Sequence, residues 1–499
     1  MFLSKWITRN TLLRYDSPMH GDRLNFKTHN PTVLAIFGAT GDLTRKKLIP
    51  ALFHLWQEKR LPPLFGIVGF SRRAHSDKEF QDYVSDIVKG IPGTFGDTAG
   101  FVSLFRYVQG LFEQGESYER LAELLGRRDK EWRTCANKLF YLAVPPQYYE
   151  TLMQNLAASE LTKPCSADEG WTRVIVEKPF GRDLATAEAL DVLLGKLFKE
   201  EQIYRIDHYL GKETVQNILA FRFSNSFLEP AWDRRSIESI HVRSMESIGI
   251  EGRGEFYDGV GALRDVGQNH LLQLLALFTM EHPVQFTGDA IRKKRAEALR
   301  ALRFVTRGKL PSFAMRGQYE GYRAESGVAP SSSTETYFSI RAFLDTPRWR
   351  GVPLYLESGK KLPEARAEVV VKFIHKTPCL CPPELGIHFQ NVLRYEIQPD
   401  EKIRISFAVK KPGLGITIEE KDFSFSYRDA YRKDEFIDPH VHPYRKLLLD
   451  AIEGNQTLFV STDEIRASWK FIDPIIERWT KKKSPLVIYK SGTTPQYES

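Results

Sequence analysis

The chain has 499 residues, which is too long for one hydrophobic core and predicts two domains. Its composition, 42% hydrophobic and 27% charged, is ordinary for a soluble globular protein. No apolar run reaches the roughly 20 residues that are needed to span a bilayer. These features argue against a membrane protein, and we expect a cytoplasmic one.

The formal net charge of +8 suits an acidic partner, either a nucleic acid or a phosphorylated small molecule. Basic residues are spread along the chain without a nucleic-acid-binding signature, so we expect no nucleic-acid partner. The cysteines Cys135, Cys165, Cys379 and Cys381 are too few and too scattered for a disulfide framework, and their spacing completes no metal site. We therefore expect reduced thiols and no bound metal.

Residues 1–30 contain five basic residues but no clear apolar segment or cleavage site, and we predict a flexible N-terminal extension. From Thr32 to about Arg205, short apolar runs alternate with segments that are long enough for helices. This rhythm is typical of βαβ units around a parallel sheet, and it predicts an α/β Rossmann domain over residues 31–206. The apolar runs cover residues 33–37, 65–70, 104–108, 139–144 and 174–176.

The pattern changes beyond residue 206. Helical periodicity appears over residues 261–280 and 290–302, and closing helices are predicted over 447–452 and 463–472. Between them lie runs with the composition of strands. We therefore predict an α+β domain with a large, mainly antiparallel sheet over residues 207–499. The strand-like runs cover residues 336–344, 368–374 and 402–408.

The first predicted strand runs directly into a glycine-containing turn, and a helical pattern follows. Glycine permits a tight turn and close approach of a pyrophosphate, and the helix N-terminus favours its negative charge. The alternative is a glycine turn without a ligand. We predict a dinucleotide-binding loop whose candidate contacts are Gly38, Thr40, Gly41, Asp42 and Leu43.

Arginines follow the second predicted strand, where an NAD site usually offers an acidic residue to the ribose hydroxyl. Arg72, with Arg73 beside it, suits the extra 2′-phosphate of NADP, although two solvated arginines are the alternative. Lys178 follows the fifth predicted strand, and Pro179 stiffens that turn. In open α/β sheets ligands bind at this edge, so Lys178 is a candidate contact of cofactor and substrate; the alternative is an ordinary surface lysine.

Residues 207–213, Asp-His-Tyr-Leu-Gly-Lys-Glu, place a carboxylate, an imidazole, a phenol and an ammonium within seven positions. If a helix begins here, His208 and Lys212 share one face. Two cationic donors beside the phenol of Tyr209 suit a phosphate monoester. The alternative is a solvated, capped helix start.

His270 lies on the apolar stripe of the helical region over residues 261–280. A core histidine is one interpretation. The other is a general base paired with a carboxylate, which holds its charged form. Asp265 is about 140° away round an ideal helix and is not expected to be that partner, whereas Asp207 is a candidate from elsewhere in the chain.

These motifs occur together, and in the same order, in glucose-6-phosphate dehydrogenases, and the chain resembles that family from about residue 31 to at least residue 480. The segment 207–213 is highly specific to the family. The motifs that carry the resemblance are residues 38–44 with Lys47, 177–181, 205–213, 264–270, 316–319, 334–336, 358–360 and 463–472.

The resemblance implies oxidation of glucose 6-phosphate at C1 to the δ-lactone, with hydride transfer to NADP and with no metal. It implies that His270 is the general base and that Asp207 orients it. It further implies a homodimer or homotetramer. The substrate-binding residues that it implies are Lys47, Lys178, His208, Tyr209, Lys212, Glu246, Asp265 and Lys360.

One departure lies at Ala365, where many relatives carry a basic residue, and whether the neighbouring Arg366 takes over its contact is open. Two other functions are compatible with the sequence. One is a dehydrogenase for a different hexose 6-phosphate, and the other is a non-catalytic NADP-sensing or assembly protein on the same fold. The second would be expected to have lost the base or the phosphate-binding group, and both are present.

Overall fold

The computed structural model describes residues 31–92, 98–166, 169–304, 313–376, 378, 380, 389–430, 442–481 and 484–495. The predicted N-terminal extension, residues 1–30, lies outside the described residues, and so do Cys379 and Cys381. Within the described residues no helix is long and apolar enough to cross a membrane.

The secondary structure alternates strands and helices up to residue 206 and becomes richer in strands beyond it. The strands are β1 (Thr32–Phe37), β2 (Phe65–Ser71), β3 (Phe105–Gln109), β4 (Asn137–Leu142), β5 (Thr172–Glu177), β6 (Ile203–Ile206), β7 (Ile237–Met245), β8 (Leu302–Phe304), β9 (Ala314–Tyr319), β10 (Tyr337–Leu344), β11 (Leu354–Gly359), β12 (Arg366–Phe373), β13 (Val392–Gln398), β14 (Lys402–Lys410), β15 (Ile418–Ser426), β16 (Phe459–Val460) and β17 (Leu486–Tyr489).

Two of the α-helices are preceded by π-helical stretches, Thr44–Leu48 before α1 and Leu263–Leu271 before α9. The α-helices are α1 (Ile49–Gln57), α2 (Asp77–Lys89), α3 (Thr98–Val102), α4 (Gly115–Trp132), α5 (Tyr149–Ala158), α6 (Leu184–Gly195), α7 (Glu213–Phe223), α8 (Gly254–Tyr257), α9 (Leu272–Thr279), α10 (Gly288–Arg300), α11 (Tyr427–Ala430), α12 (His442–Glu453) and α13 (Thr462–Thr480).

The first sheet has the strand order β16-β6-β5-β4-β1-β2-β3, and strands β1 to β6 are parallel. Strands β1, β2 and β4 are buried along their whole length, which explains why they read as unbroken apolar runs. The order of β1 to β6 is that of the doubly wound dinucleotide-binding fold. It confirms the predicted α/β Rossmann architecture and places the ligand crevice where the strand order reverses, between β1 and β4.

The second sheet has the order β15-β14-β13-β12-β7-β11-β10-β9-β17, and β8 pairs with β10. Most of these pairs are antiparallel, as predicted, although β7 pairs with β11 and β9 with β17 in parallel. The π-helical stretch before α9 packs against β7 and β11. The second sheet therefore supports the helix that carries His270.

The last part of the chain returns to the first sheet. Strand β16 pairs antiparallel with β6, with Phe459 opposite Ile206. Helix α12 packs against α1, and α13 packs against α6 and α10. Buried side chains from both sheets form one continuous hydrophobic core. Residues beyond the predicted boundary at 206 thus complete the edge of the first sheet, and the boundary itself stays a prediction.

The expectation of reduced thiols is wrong for Cys135 and Cys165, which form a disulfide with their Cα atoms 6.4 Å apart. Cys135 lies just before β4, and Cys165 lies in the loop that leads to β5. Because β4 and β5 are neighbouring parallel strands, their entry points meet at one edge of the sheet. The separation of 30 residues in the chain conceals this proximity.

Candidate active site

The glycine turn after β1 is held between the ends of the two neighbouring strands. The Gly38 N–H donates to the Phe70 carbonyl at 2.9 Å, and the backbone of Gly38 has a φ of +87°. A Cβ atom at this position would stand 2.3 Å from the carbonyl oxygen of Ala143. Only glycine fits at this position.

The other candidate cofactor contacts surround this turn. The Thr40 hydroxyl shares a 2.8 Å hydrogen bond with Ser71 at the end of β2. Asp42 is exposed and pairs with Lys46 at 3.0 Å. Arg72 is exposed and directly follows Ser71, so it lies next to the turn on the side where a ribose would be bound.

A cavity of about 1480 Å³ opens at the carboxyl ends of the parallel strands. Residues that follow β5, β6, β7 and β11 form its wall, together with the π-helical stretch Leu263–Leu271. The structure brings the eight predicted substrate-binding residues, His270 and Leu43 of the glycine turn into this one cavity. They are Leu43, Lys47, Lys178, His208, Tyr209, Lys212, Glu246, Asp265, His270 and Lys360.

His270 is hydrogen-bonded to Asp207, as the sequence suggested. The Nδ1 atom of His270 lies 2.5 Å from Oδ1 of Asp207, and both side chains are buried. An ionised carboxylate only accepts hydrogen bonds, so Nδ1 carries the proton and Nε2 is left as an acceptor. Because His270 lines the cavity, this acceptor is available to a substrate hydroxyl.

The charges of this pair follow from burial and from mutual attraction. Burial raises the pKa of Asp207, but His270, His208 and the N–H of Tyr209 together outweigh this effect and lower that pKa to about 2. Burial lowers the pKa of His270, while Asp207 opposes the change. The result in the absence of substrate is an ionised Asp207 beside a neutral imidazole, which is the protonation state that a general base requires.

Asp265 lies closer to His270 than an ideal α-helix would place it. In a π-helix residues five apart are linked by i→i+5 hydrogen bonds and share a side, so Asp265 and His270 both face the cavity. Lys178 donates to Oδ1 of Asp265 at 3.2 Å and to its carbonyl at 2.9 Å. The expected 140° separation is therefore wrong, although the partner of His270 is still Asp207.

Residues His208 to Lys212 form successive turns and not the start of a helix, because α7 begins at Glu213. The N–H of Gly211 donates to the carbonyl of His208 at 3.2 Å, and the N–H of Lys212 donates to that of Tyr209 at 3.1 Å. The helical spacing suggested for His208 and Lys212 is wrong. The turns nevertheless place both side chains in the cavity.

Lys212 and Tyr209 stack in this segment. The Lys212 ammonium lies 4.2 Å from the centre of the Tyr209 ring, and burial lowers the pKa of Lys212 to about 8. The Tyr209 hydroxyl is 3.3 Å from the Ser244 hydroxyl, and burial raises the pKa of Tyr209 to about 12. Burial, followed by the proximity of His270, lowers the pKa of His208 well below its usual range.

Lys360, in the turn after β11, is buried and forms an ion pair with Glu246 after β7. Arg366, the residue next to Ala365, instead pairs with Glu364 at 2.8 Å and with Glu368 at 3.8 Å. It is not among the described residues that line the cavity. Arg366 thus forms ion pairs within β12 and with Glu364 before it, and its contact with a substrate is not tested by these distances.

Asp207, His208 and His270 each offer a ligand atom to a metal ion, and these atoms lie within 4.8 Å of one another. The hydrogen bond between His270 and Asp207 already uses one atom of each in the described structure. The absence of a bound metal stays a prediction.

Several cavity residues were not identified from the sequence. Arg253 and Arg264 line the cavity, and Arg264 donates from Nε to the carbonyl of Arg182 at 3.0 Å. Arg253 lies between two glycines, a pattern that could have marked it. Glu177 is not among the described residues that line the cavity; it is half-buried at the end of β5, where it accepts a 2.5 Å hydrogen bond from Tyr141 and desolvation raises its pKa to about 7. No sequence pattern shows this contact with Tyr141, because Glu177 stands at the exposed-looking end of a strand.

The strand order, the glycine turn at its switch point and a neutral histidine at the same edge define the class of protein. They are the parts of a dehydrogenase that uses a nicotinamide dinucleotide. Comparisons with known proteins then identify the family.

Two family models match, described as the NAD binding domain and the C-terminal domain of glucose-6-phosphate dehydrogenase, over residues 35–217 and 219–498. The chain is 40% identical to glucose-6-phosphate 1-dehydrogenase of Aggregatibacter actinomycetemcomitans, with 92% of this chain and 93% of the relative covered. It is 36% identical to the Bacillus subtilis enzyme of the same name, with 94% and 95% covered.

A solved glucose-6-phosphate dehydrogenase in complex with its substrate glucose-6-phosphate has a TM-score of 0.85 and is 34% identical, with 94% of this chain and 96% of that chain covered. The Mycobacterium avium glucose-6-phosphate 1-dehydrogenase structure has a TM-score of 0.78, also at 34% identity, with 93% and 95% covered. The chain belongs to the glucose-6-phosphate dehydrogenase family.

Proposed function

We propose that this protein oxidises D-glucose 6-phosphate at C1 to 6-phospho-D-glucono-1,5-lactone with NADP⁺ as hydride acceptor, the first step of the oxidative pentose phosphate pathway. The observation that carries the proposal is that His270, hydrogen-bonded to the buried Asp207, lines a cavity that buried lysines also line. A base and a phosphate-binding group in one cavity match a sugar with a hydroxyl at one end and a phosphate at the other.

The acid–base chemistry depends on the two nitrogen atoms of the His270 ring. Nε2 accepts the proton of the C1 hydroxyl, while Nδ1 keeps its hydrogen bond to Asp207. The imidazolium that forms is stabilised by the ionised carboxylate, whose pKa of about 2 keeps it charged throughout turnover. When bound, the nicotinamide ring supplies the hydride acceptor.

The substrate phosphate is assigned to Lys212, Lys360, His208 and Tyr209. Lys212 and Lys360 are both buried, so their interaction with a phosphate is weakly screened by water. Lys360 is paired with Glu246 in the described structure. Binding of a dianion beside Lys360 favours release of Glu246 towards the sugar hydroxyls, which is the role that the family resemblance gives to Glu246.

The remaining polar groups orient the sugar ring. Lys178 and Asp265 form an ion pair at 3.2 Å, and Lys47, which follows the glycine turn, lines the same cavity. Lys178 stands at the carboxyl end of β5, between the predicted positions of sugar and cofactor.

The residues around the first turn fit a dinucleotide. The close approach of Gly38 to Ala143 leaves room only for a glycine, and Thr40, Gly41, Asp42 and Leu43 follow at the crevice. Arg72 is exposed after β2, where its guanidinium would hold the 2′-phosphate of NADP.

We therefore expect Arg72→Asp to raise the Michaelis constant for NADP by at least about tenfold, because a charge-assisted contact is replaced by repulsion. The constant for NAD should change much less. Steady-state kinetics with both cofactors measure this difference. An equal increase in both Michaelis constants would show that Arg72 does not bind the 2′-phosphate of NADP.

The proposed reaction is tested with glucose 6-phosphate, galactose 6-phosphate and glucose, each with NADP and with NAD. The absorbance of the reduced cofactor, NADPH or NADH, measures turnover. Turnover with glucose 6-phosphate and NADP well above the other five combinations is expected. A preference for galactose 6-phosphate would indicate a different hexose phosphate dehydrogenase. No turnover with any pair would favour the non-catalytic sensing or assembly function.

Three further properties stay predictions alongside this function: the domain division at residue 206, a homodimer or homotetramer, and a cytoplasmic location. Light scattering of the purified protein measures the oligomeric state.

A further inference from the structure

The segment of three residues before β10, Thr334-Glu335-Thr336, contains a buried carboxylate that the proposed reaction does not use. Glu335 is only 6% exposed. In the described part of the chain no lysine, arginine or histidine pairs with it within 4.0 Å. A carboxylate in such surroundings is retained against its desolvation cost only when hydrogen bonds compensate it, so its contacts are informative.

Those contacts lie at the start of the helix that carries the proposed base. Oε1 of Glu335 accepts the N–H of Leu263 at 3.2 Å, and the Glu335 carbonyl accepts the N–H of Ala262 at 3.0 Å. The first N–H groups of a helix have no partner within the helix, so Glu335 satisfies two of them.

Gly261 shows how closely the two segments approach. Its φ is +77°, and a Cβ atom there would stand 2.2 Å from Oε1 of Glu335. The carboxylate therefore occupies the space beside the backbone at the first turn of Leu263–Leu271. This turn contains Asp265, and the same helix continues to His270.

Thr334 and Thr336, on either side of Glu335, form hydrogen bonds to other residues that line the cavity. The carbonyl of Thr336 accepts the N–H of Lys360 at 2.9 Å. The Thr334 hydroxyl donates to Asp258 at 2.8 Å and accepts the N–H of Gly259 at 2.9 Å. The segment Thr334-Glu335-Thr336 thus joins the helix that carries His270 to the turn that carries Lys360.

We propose that Glu335 is a positioning residue: its side chain fixes the helix that carries Asp265 and His270 relative to the turn that carries Lys360. The inference rests on the proposed function, since the spacing matters only if base and phosphate site act on one sugar. Glu335 itself does not line the cavity. Its effect on the reaction is therefore through geometry, where a displacement of about 1 Å at the reacting atoms can cost about a hundredfold in rate.

Three variants separate this role from a general loss of stability. Glu335→Gln keeps the length and the accepting oxygen, and we expect kcat to stay within about threefold of wild type. Glu335→Asp withdraws the oxygen by one methylene, and Glu335→Ala removes it. We expect both to lower kcat for glucose 6-phosphate by at least about tenfold while the dissociation constant for NADPH stays unchanged.

The matched control is Asp129→Ala. Asp129 also accepts a backbone N–H, that of Ala136 at 2.8 Å, but at the opposite edge of the first sheet. We expect this variant to lower Tm and to leave kcat and KM unchanged. Hydrogen exchange of the peptide that contains Leu263 provides a readout without turnover, and its protection should fall in Glu335→Asp but not in Glu335→Gln.

The inference is overturned if Glu335→Asp and Glu335→Ala retain kcat within about threefold, or if Glu335→Gln loses as much as they do. It is also overturned if Asp129→Ala lowers kcat to the same extent. If Glu335→Ala does not fold, Glu335→Asp decides. A wild-type protein without glucose 6-phosphate turnover would reject the proposed function, and the exchange of the Leu263 amide would then still decide whether Glu335 fixes the helix.

Discussion

At the scale of single residues, the chemistry of this protein depends on which charged groups are buried and what each one contacts. Burial favours neutral His270 and weakens the charge of Lys212, whereas Asp207 stays ionised because it pairs with His270. Identical side chains on the surface would have ordinary pKa values and no such division of roles. Two consequences can be measured directly.

His270→Asn should lower turnover by roughly two orders of magnitude, with a small effect on the KM for glucose 6-phosphate, because asparagine cannot accept the hydroxyl proton. The matched control is His241→Asn. His241 is half-buried on the second sheet, where it stacks on Tyr355 at 4.4 Å. Turnover of His270→Asn within about tenfold of wild type would mean that another group is the base.

The KM for glucose 6-phosphate should rise as the pH increases through about 8. Below that pH Lys212 is an ammonium, and above it the ammonium is lost, since burial has lowered its pKa to about 8. The substrate phosphate is already dianionic from about pH 7, so its own charge does not change. In Lys212→Arg the guanidinium stays charged and the rise should disappear. A KM that is constant to about pH 9.5 in wild type would exclude Lys212 from the phosphate site.

At the scale of elements, backbone geometry determines where these groups lie. The π-helical stretch Leu263–Leu271 turns Asp265 to the side of His270, and successive turns hold His208 and Lys212 without a helix. The glycine turn between β1 and α1 is equally constrained, because Gly38 has a positive φ and touches the carbonyl of Ala143.

Gly38→Ala should therefore lower both stability and cofactor binding, since a left-handed conformation costs an alanine about 1–2 kcal/mol before any displacement of Ala143 is counted. The control is Gly126→Ala. Gly126 lies within α4, where a Cβ atom meets nothing within 4 Å, and the change should be neutral or stabilising by up to about 1 kcal/mol. Thermal melts and NADPH titration measure both variants. Equal behaviour of the two would show that the turn tolerates a side chain.

At the scale of the whole molecule, the first sheet is completed by the end of the chain. Strand β16 covers the edge of β6, and the ring of Phe459 contacts that of Tyr204 at 4.8 Å. The side-chain amide of Gln456 donates to the carbonyl of Ile203 at 3.0 Å. The end of the chain thus closes the dinucleotide-binding sheet.

Residues 31–206 expressed alone should consequently lack cooperative folding, because the edge of β6 and the apolar faces under α12 and α13 would be exposed to water. The measurement is thermal unfolding by circular dichroism, with residues 31–499 as the control. A cooperative transition of the fragment close to that of the longer chain would show that the first sheet is an independent unit.

The amino-acid sequence by itself determined the order of the elements, the glycine turn at Gly38 and the identity of the family, because apolar periodicity and short motifs are local properties. It also supplied Asp207 as a partner for His270. The sequence did not reveal the disulfide between Cys135 and Cys165, the hydrogen bond between Tyr141 and Glu177, or the hydrogen bond from the Leu263 N–H to Glu335.

Tertiary structure alone decided these features, since each joins segments that are distant in the chain. It also decided that Asp265 lies beside His270, because the helix there is wider than the ideal helix that sequence spacing assumes. The same holds for protonation: a neutral His270 and a weakened Lys212 result from burial among residues of many elements, and burial depends on the complete fold.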